Sequence, residues 1–336
     1  MKKIISLFLV LLISLITLTA CDSIIKTPTN SGIESTTSNV ESTTTNNISK
    51  DNTSEDIPSQ EINNSSPAQE EEKYTEVKVS SAKDLFQNVK PFTKIILTED
   101  YYNISDIDPT TFENDNIKVE DWYDGYEFII RNIDHLEICS ANNVMPEIVT
   151  EGAHVNVISL NNCKNVKISG LVVGHEVEKG SCSGGVIQIE NSSDIEIDHC
   201  HLYGCGTYGI ISRETNNVVI NNTDIYGCSY GILDLSNSNH FVFNNCIFRD
   251  NGEYTMFAIH KCKDTLFNNC TITSNRSDYV SSLISASESS NITFTQCLFE
   301  GNKYDYFSST EDDVRLNGCV IKDENSENKY YIDYAD

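Results

Sequence analysis

The segments IEIDHCHL (residues 195–202), VVINNTDI (218–225) and FVFNNCIF (241–248) share one pattern that decides the fold. Apolar residues alternate over the first part of each segment, a polar pair follows, and an apolar residue ends it. Alternation with a period of two is typical of β-strands, and a polar pair between two short strands indicates a sharp bend. A further apolar pair, such as Ile187 and Ile189, precedes each segment, so each unit contains three short strands.

The unit recurs along most of the chain. The positions equivalent to Cys200 are separated by 30, 29, 23, 23, 24, 27 and 22 residues, and they are Ala141, Leu171, Cys200, Thr223, Cys246, Cys270, Cys297 and Cys319. Three short strands per repeat of this length describe one coil of a parallel β-helix, in which each coil stacks about 4.8 Å above the last. We therefore predict an all-β, single-stranded solenoid of about nine or ten coils over residues 74–336.

The cysteines in this column are expected to be small, buried, apolar side chains rather than ligands. The chain has 12 cysteines but no CxxC pair, which argues against a zinc site. Cys205 and Cys228 occupy equivalent positions on adjacent coils, and the sequence leaves their pairing open.

A cap is also predicted at the start of the solenoid. Residues 80–89 (SSAKDLFQNV) offer an N-cap serine followed by apolar residues at helical spacing, and an extended segment follows at residues 94–102. A short helix here would cover the first coil and protect its open strand edge.

The first 73 residues have another character. Residues 1–20 contain two lysines and an apolar run too short for the roughly 20 residues of a membrane span, as in a signal peptide. Leu18-Thr19-Ala20-Cys21 resembles a bacterial lipobox, which implies lipidation of Cys21 and an extracytoplasmic protein anchored to the cell membrane. Residues 21–73 are rich in Ser, Thr and Asn and lack aromatic residues, so we expect a disordered tether.

The charge narrows the class of partner. Of the net charge of −27, residues 1–21 carry +2 and residues 22–73 carry −7, which leaves −22 on residues 74–336. Nucleic-acid binding needs a basic surface, so we expect no nucleic-acid partner. The negative charge would repel a polyanionic substrate when no cation is bound. It therefore favours either a neutral glycan or a site that uses a divalent metal.

The cap, the segment 91–97 and the stacked Asn-rich coils resemble the right-handed parallel β-helix repeat proteins of the pectin-lyase-like superfamily. Residues 174–185 and 203–210 further resemble a bacterial surface-lipoprotein branch of it. The superfamily includes polysaccharide lyases, glycoside hydrolases and epimerases, so the resemblance is specific for fold and weak for activity. It implies a polysaccharide or cell-wall glycan as partner, bound in a groove along the first sheet of each coil.

The outward positions of that sheet supply the candidate site. Charged candidates on successive coils are Glu190, Arg213, Asp234 and His260, with Lys261 at a strand end. The insertion at residues 175–185 enters the sheet just before them, and tyrosines offer apolar faces and hydroxyl groups to sugars. The candidate substrate-binding residues are therefore His175, Glu176, Tyr203, Tyr208, Tyr226 and Tyr230.

Several activities remain open on these residues. A lyase needs a base, for which Arg213 or Lys261 is the candidate, and often Ca²⁺ to neutralise a uronate. A hydrolase needs two carboxylates, for which Glu190 and Asp234 are the candidates. However, the paired aspartates of polygalacturonase-like hydrolases and the signature of alginate epimerases are missing. A non-enzymatic role in surface adhesion or envelope structure is the alternative, with the charges forming a solvated ladder.

Overall fold

The computed structural model describes residues 73–324 apart from 142–144, 181–182, 205, 281 and 310–313. The described strands form three sheets that run along one solenoid. We number them in the order in which each coil visits them. Sheet 1 contains Ile187–Glu190, sheet 2 contains Ser193–Asp198 and sheet 3 contains His201–Tyr203. The predicted β-helix is confirmed. The predicted signal peptide, the anchor at Cys21 and the tether lie outside the described residues.

The N-terminal end is closed by the predicted cap. It consists of β1 (Thr75–Val79), α1 (Ala82–Gln87), β2 (Thr93–Leu97) and β3 (Tyr101–Asn103), followed by 3₁₀ turns at Ile104–Asp106 and Pro109–Thr111. The side chain of Ser81 accepts a hydrogen bond from the Asp84 N–H at 3.1 Å and so caps α1. Leu85 and Phe86 of α1 are buried, so the helix shields the first coil as expected.

A β-hairpin interrupts the regular winding after the cap. Its strands are β4 (Ile117–Trp122) and β5 (Gly125–Arg131), which pair antiparallel across a turn at Tyr123 and Asp124. β5 also pairs in parallel with the next strand of sheet 1, so β4 forms the outer edge of that sheet. β6 (Asp134–Ser140) and β7 (Glu147–Thr150) complete this coil on sheets 2 and 3.

Seven further coils follow in the described chain, each with one strand on sheet 1, sheet 2 and sheet 3 in that order. The first three are β8–β10 (Ile158–Asn161, Lys164–Ser169, Val172–His175), β11–β13 (Ile187–Glu190, Ser193–Asp198, His201–Tyr203) and β14–β16 (Tyr208–Arg213, Asn216–Asn221, Asp224–Tyr226). The next two are β17–β19 (Gly231–Ser236, Asn239–Asn244, Ile247–Arg249) and β20–β22 (Phe257–His260, Lys263–Asn268, Thr271–Thr273). The last are β23–β25 (Ser282–Ser285, Ser290–Thr295, Leu298–Glu300) and β26–β28 (Tyr306–Ser308, Val314–Asn317, Val320–Lys322).

The corners explain the Asn-rich sequence. The second residue of each polar pair, as in Asn222, Asn245 and Asn269, has a φ near +50°. Asparagine tolerates this left-handed conformation better than most residues because its short side chain bonds locally. Its side chain then joins a ladder between coils, since Asn269 Nδ2 donates to Asn245 Oδ1 at 2.8 Å. The Asn-Asn pairs are therefore the bends between sheets 2 and 3.

The interior is filled by stacked columns. The rings of Phe243, Phe267 and Phe294 lie nearly parallel, with centroids 4.7 Å and 4.2 Å apart. Cys200, Cys246, Cys270 and Cys297 are buried, and the nine described cysteines are free thiols, including Cys228. Cys205 lies outside the described residues. The expectation that the column cysteines serve packing is confirmed.

Candidate functional site

A groove of about 720 Å³ lies on the outer face of sheet 1, at the end nearest the cap. The hairpin forms one wall with Lys118, Glu120 and Trp122, and Ser183 and Gly184 form the other. The floor consists of outward side chains of β5, β8, β11 and β14 and the turn before β8, which are Glu127, Ile129, Arg131, Asn156, Asn161, Gln188, Glu190 and Ile211. The volume is within the range of roughly 300–1,000 Å³ found for ligand sites.

Carboxylates and amides form a continuous network on this floor. The buried Glu127 accepts hydrogen bonds from Ser159 Oγ and from Asn156 Nδ2, the latter at 2.9 Å. Asn156 Nδ2 also contacts Gln188 Oε1, and Gln188 Nε2 donates to Glu190 Oε1 at 2.5 Å. The second oxygen of Glu190 accepts from Asn161 Nδ2 at 3.1 Å. The network fixes the rotamers of both carboxylates, which gives the groove a preorganised polar floor.

Arg131 provides an unsatisfied donor in the same groove. Strand register places Arg131, Asn161 and Glu190 side by side on successive coils. Arg131 Nε is buried and has no hydrogen-bond partner among the described residues. The Arg131 side chain nevertheless lines the groove, so its guanidinium places a positive charge beside the floor carboxylates.

Aromatic side chains border the groove on the hairpin. Trp122 is 45% exposed and Tyr123, at the tip, is 93% exposed. The Tyr123 ring packs edge-on against His154 with centroids 5.8 Å apart. Asp124 accepts from the Ala153 N–H at 2.6 Å and lies 3.1 Å from His154 Nδ1. These contacts lower the pKa of Asp124 although burial opposes them. The hairpin tip is thereby tied to the turn at residues 152–156.

The second wall is built by close backbone contact. A Cβ placed on Gly184 would lie 1.9 Å from the carbonyl oxygen of Val155, so only glycine permits this approach. The loop that leads to it, residues 176–180, runs along the solenoid. Gly180 N donates to Ser229 Oγ at 2.8 Å, and Lys179 Nζ donates to the Asp250 carbonyl at 3.0 Å. The insertion therefore contributes a wall to the groove, and its remainder lies over neighbouring coils.

The charged candidates from the sequence separate into two groups. Glu190 lies in the groove, whereas Arg213, Asp234, His260 and Lys261 are not among the residues that line it. Arg213 Nη2 is 2.5 Å from Asp234 Oδ2, and Arg213 Nη1 donates to the Asp234 carbonyl at 2.8 Å. Arg213 shares a row with Glu190, but Asp234 occupies the row of Gln188. Glu190 and Asp234 therefore lie in different rows of sheet 1 and do not form a carboxylate pair along one row.

The remaining charged candidates make local contacts. His260 Nδ1 lies 2.8 Å from Ser287 Oγ, and Lys261 Nζ is 3.8 Å from Glu288. His175 is buried, with Nε2 2.9 Å from the Val155 carbonyl oxygen. Glu176 accepts a hydrogen bond from the Tyr101 hydroxyl at 2.8 Å on the side of sheet 3. Of the residues expected to line one groove from residue 175 to residue 260, only Glu190 therefore lies in the groove described above.

The four candidate tyrosines also lie outside the groove lining. Tyr203 and Tyr226 stack on sheet 3 with centroids 5.8 Å apart, and Tyr203 donates to Glu147 Oε1 at 2.7 Å. Burial and the contact with Glu147 raise the pKa of Tyr203. Tyr208 and Tyr230 lie at the turns that enter sheet 1, with centroids 6.2 Å apart.

Many of the groove residues were missed in the sequence. Seven of them, between residues 118 and 132, lie before the regular repeats, where the spacing carries no signal. One signal was available, because residues 117–120 alternate and Asp124-Gly125 is a strong hairpin sequence. It predicts the hairpin that carries Trp122, although not its position beside Glu127.

The described residues contain no cluster of carboxylate, imidazole or thiol side chains at metal-binding spacing. No three His, Cys, Asp or Glu side chains in this part of the chain come close enough to hold a metal ion. The two floor carboxylates already accept hydrogen bonds from amides. We therefore derive no step through Ca²⁺.

Among the described residues, no helix has the length and apolar character needed to cross a membrane.

Comparison with known proteins agrees with this architecture. The family described as "Right handed beta helix region" matches residues 141–283. No curated protein matches the chain. The structure is similar to an alginate lyase from Paenibacillus sp. str. FPU-7, with 12% identity and a TM-score of 0.52 over 76% of this chain and 97% of that one. It is also similar to a pectate lyase from Paenibacillus sp. 0602, with 13% identity and a TM-score of 0.50 over 75% and 78%.

A more distant match is the surface protein and adhesin PfbA of Streptococcus pneumoniae, with 9% identity and a TM-score of 0.40 over 73% of this chain and 66% of that one. The chain is thus a right-handed parallel β-helix protein. The same fold occurs in the alginate lyase and the pectate lyase described above. At these identities the similarity establishes the fold, and activity depends on the groove itself.

Proposed function

We propose that this chain is an extracytoplasmic, lipid-anchored protein that binds a polysaccharide in the groove on sheet 1. The observation that carries the proposal is the groove floor, where two carboxylates and three amides form one network beside the Arg131 side chain. Sugars present many hydroxyl groups, which pair with such a row of fixed donors and acceptors. The exposed Trp122 ring supplies the apolar surface on which the C–H face of a sugar packs.

The geometry favours binding over the cleavage mechanisms considered from sequence. Arg213 is held by Asp234 and does not line the groove, so it is poorly placed to act as a base on a ligand bound there. The groove does contain a carboxylate pair, Glu127 and Glu190, but each is held by amide donors. The membrane anchor is supported by the lipobox-like sequence at Cys21 and by the long tether that follows it.

The test is a panel of polysaccharides and a glycan array applied to the purified chain. We expect at least one glycan to bind, and Trp122→Ala to weaken that binding about tenfold, because the loss of about 1.4 kcal/mol is typical for removing an aromatic contact. Glu127→Gln is expected to weaken it further, because the charge-assisted hydrogen bonds at Glu127 Oε1 are replaced by weaker neutral ones. Tyr101→Ala is the matched control, because Tyr101 is 47% exposed but lies on sheet 3.

Cleavage is measured on the same panel, by the absorbance of unsaturated uronides and by reducing ends, with and without Ca²⁺. If no glycan binds and no product forms, the polysaccharide proposal is overturned, and a non-enzymatic role in adhesion or envelope structure takes its place.

A further inference from the structure

Four tyrosines form an exposed ribbon beside sheet 1, outside the groove. The tyrosine ribbon consists of Tyr208, Tyr230, Tyr254 and Tyr279, one from each of four successive coils. Consecutive ring centroids are 6.2, 4.5 and 5.5 Å apart. The backbone fixes this order, because Tyr254 N donates to the Tyr230 carbonyl at 2.9 Å and Tyr279 N donates to Glu253 O at 2.9 Å.

The ribbon does not belong to the core. Its rings lie outside the buried cluster, and exposure reaches 38% at Tyr230 and 68% at Tyr279. Packing between coils is already provided by the phenylalanine column inside the solenoid. Tyr208 and Tyr254 are half-buried, so the ribbon is a row of four neighbouring rings with two exposed members, which is typical of an interaction surface.

The charges around the ribbon indicate the chemistry of its partner. Arg276 and Lys303 both contact Asp278, at 3.1 Å for Lys303 Nζ. At the other end Arg213 is paired with Asp234, and burial together with the charge of Asp234 raises the pKa of Tyr208 to about 12. These cations are therefore neutralised, and the exposed Glu253 adds a negative charge. An anionic polymer would find no free cation among them, whereas ring faces and phenol hydroxyls suit an uncharged sugar.

The spacing suits a polymer that lies along the solenoid. Successive coils rise by about 4.8 Å, so a chain parallel to the axis meets one tyrosine per coil. The ribbon also begins next to the groove, because Thr207 N donates to the carbonyl of Gly184, a groove-wall residue, at 2.9 Å. We propose that the tyrosine ribbon is a second binding surface that takes an extended neutral glycan along the solenoid axis.

This inference rests on the proposed function only for the class of ligand, and its test first weakens binding in the groove. Binding of soluble mixed-linkage β-glucan, xylan and glucomannan is measured by affinity electrophoresis with the full chain carrying Trp122→Ala. We expect at least one of these neutral glycans to bind this variant. Adding Tyr230→Ala and Tyr279→Ala is expected to lower the affinity at least about tenfold, because stacked faces are lost.

Controls separate binding from folding. Tyr279→Phe keeps the ring and is expected to retain most of the affinity, and Tyr101→Ala on sheet 3 is expected to leave it unchanged. Thermal unfolding verifies that each variant is folded. The ribbon proposal is overturned if no neutral glycan binds the Trp122→Ala chain, or if binding survives the two tyrosine substitutions. Neither result affects the groove, which is tested by comparing Trp122→Ala with the unsubstituted chain.

Discussion

His175 is a buried side chain that has one ring nitrogen in a hydrogen bond and the other without a partner among the described residues. Its Nε2 lies 2.9 Å from the Val155 carbonyl oxygen, so Nε2 carries the proton and donates it. Nδ1 is buried without a hydrogen-bond partner among the described residues. Burial therefore lowers the pKa of His175 below its usual 6.5, although the Val155 contact and the charge of Asp124 oppose the shift.

The sign of the pH dependence follows from that shift. As the pH falls below about 6.5, the unfolded chain takes up a proton at His175 while the folded chain does not, so folding stability is lost on the acid side. We predict that His175→Gln has a smaller fall in melting temperature between pH 7.5 and 5.5 than the unsubstituted chain. An equal fall in melting temperature for the unsubstituted chain and for His175→Gln would contradict this assignment.

The sequence predicts the row in which a side chain lies but not the partner that it reaches. The alternation predicts that Glu190 and Arg213 face outward on neighbouring coils, and strand register confirms that they share a row. It does not predict that Arg213 reaches Asp234, because a long side chain chooses its partner through rotamers that carry no sequence period.

The elements of the solenoid are stabilised mainly by columns that cross from coil to coil. Phe267 is fully buried between Phe243 and Phe294, with interplanar angles of 8° and 4°. A second, polar column runs inside the turns after sheet 3, where Asn275 Nδ2 donates to Asn302 Oδ1 at 2.9 Å and Asn302 Nδ2 donates to Asp323 Oδ1 at 3.1 Å. The phenylalanine column provides apolar contacts between neighbouring coils, and the polar column provides hydrogen bonds between them.

We predict that Phe267→Ala lowers the free energy of unfolding by about 3–5 kcal/mol, because it opens a cavity between two stacked rings. The measurement is chemical denaturation followed by circular dichroism. Val320→Ala is the control, since Val320 is 50% exposed on sheet 3 and should change stability by less than about 0.5 kcal/mol. A loss at residue 267 no larger than at residue 320 would mean that the ring column does not carry the stability.

The hairpin is the element that the repeat pattern did not predict. Repeats specify coils that resemble one another, so the spacing that located β8–β28 gave no information on β4 and β5. The hairpin nevertheless contributes Trp122 and, through β5, Glu127 and Arg131 to the groove. Its position depends on contacts such as Asp124 with Ala153, which join segments 29 residues apart and have no local signature.

The whole molecule is acidic, and the groove and the ribbon lie on the same side of it, along sheet 1. The net charge of −22 on residues 74–336 acts on any ligand that approaches. The solenoid and its cap were predictable because every coil repeats one physical requirement: an apolar inward face and a polar bend. The groove was not, because it is formed where the winding departs from that repeat.

Polysaccharide binding in the groove on sheet 1 is tested most directly by hydrogen–deuterium exchange on the full chain, with and without the polysaccharide that binds most tightly in the panel. We predict slower exchange in the turns that border the groove, at residues 123–124, 152–156 and 183–185, because a bound polysaccharide covers them. Unchanged exchange in all three turns, or protection confined to the turn at residues 250–253 beyond sheet 3, would contradict a binding groove on sheet 1.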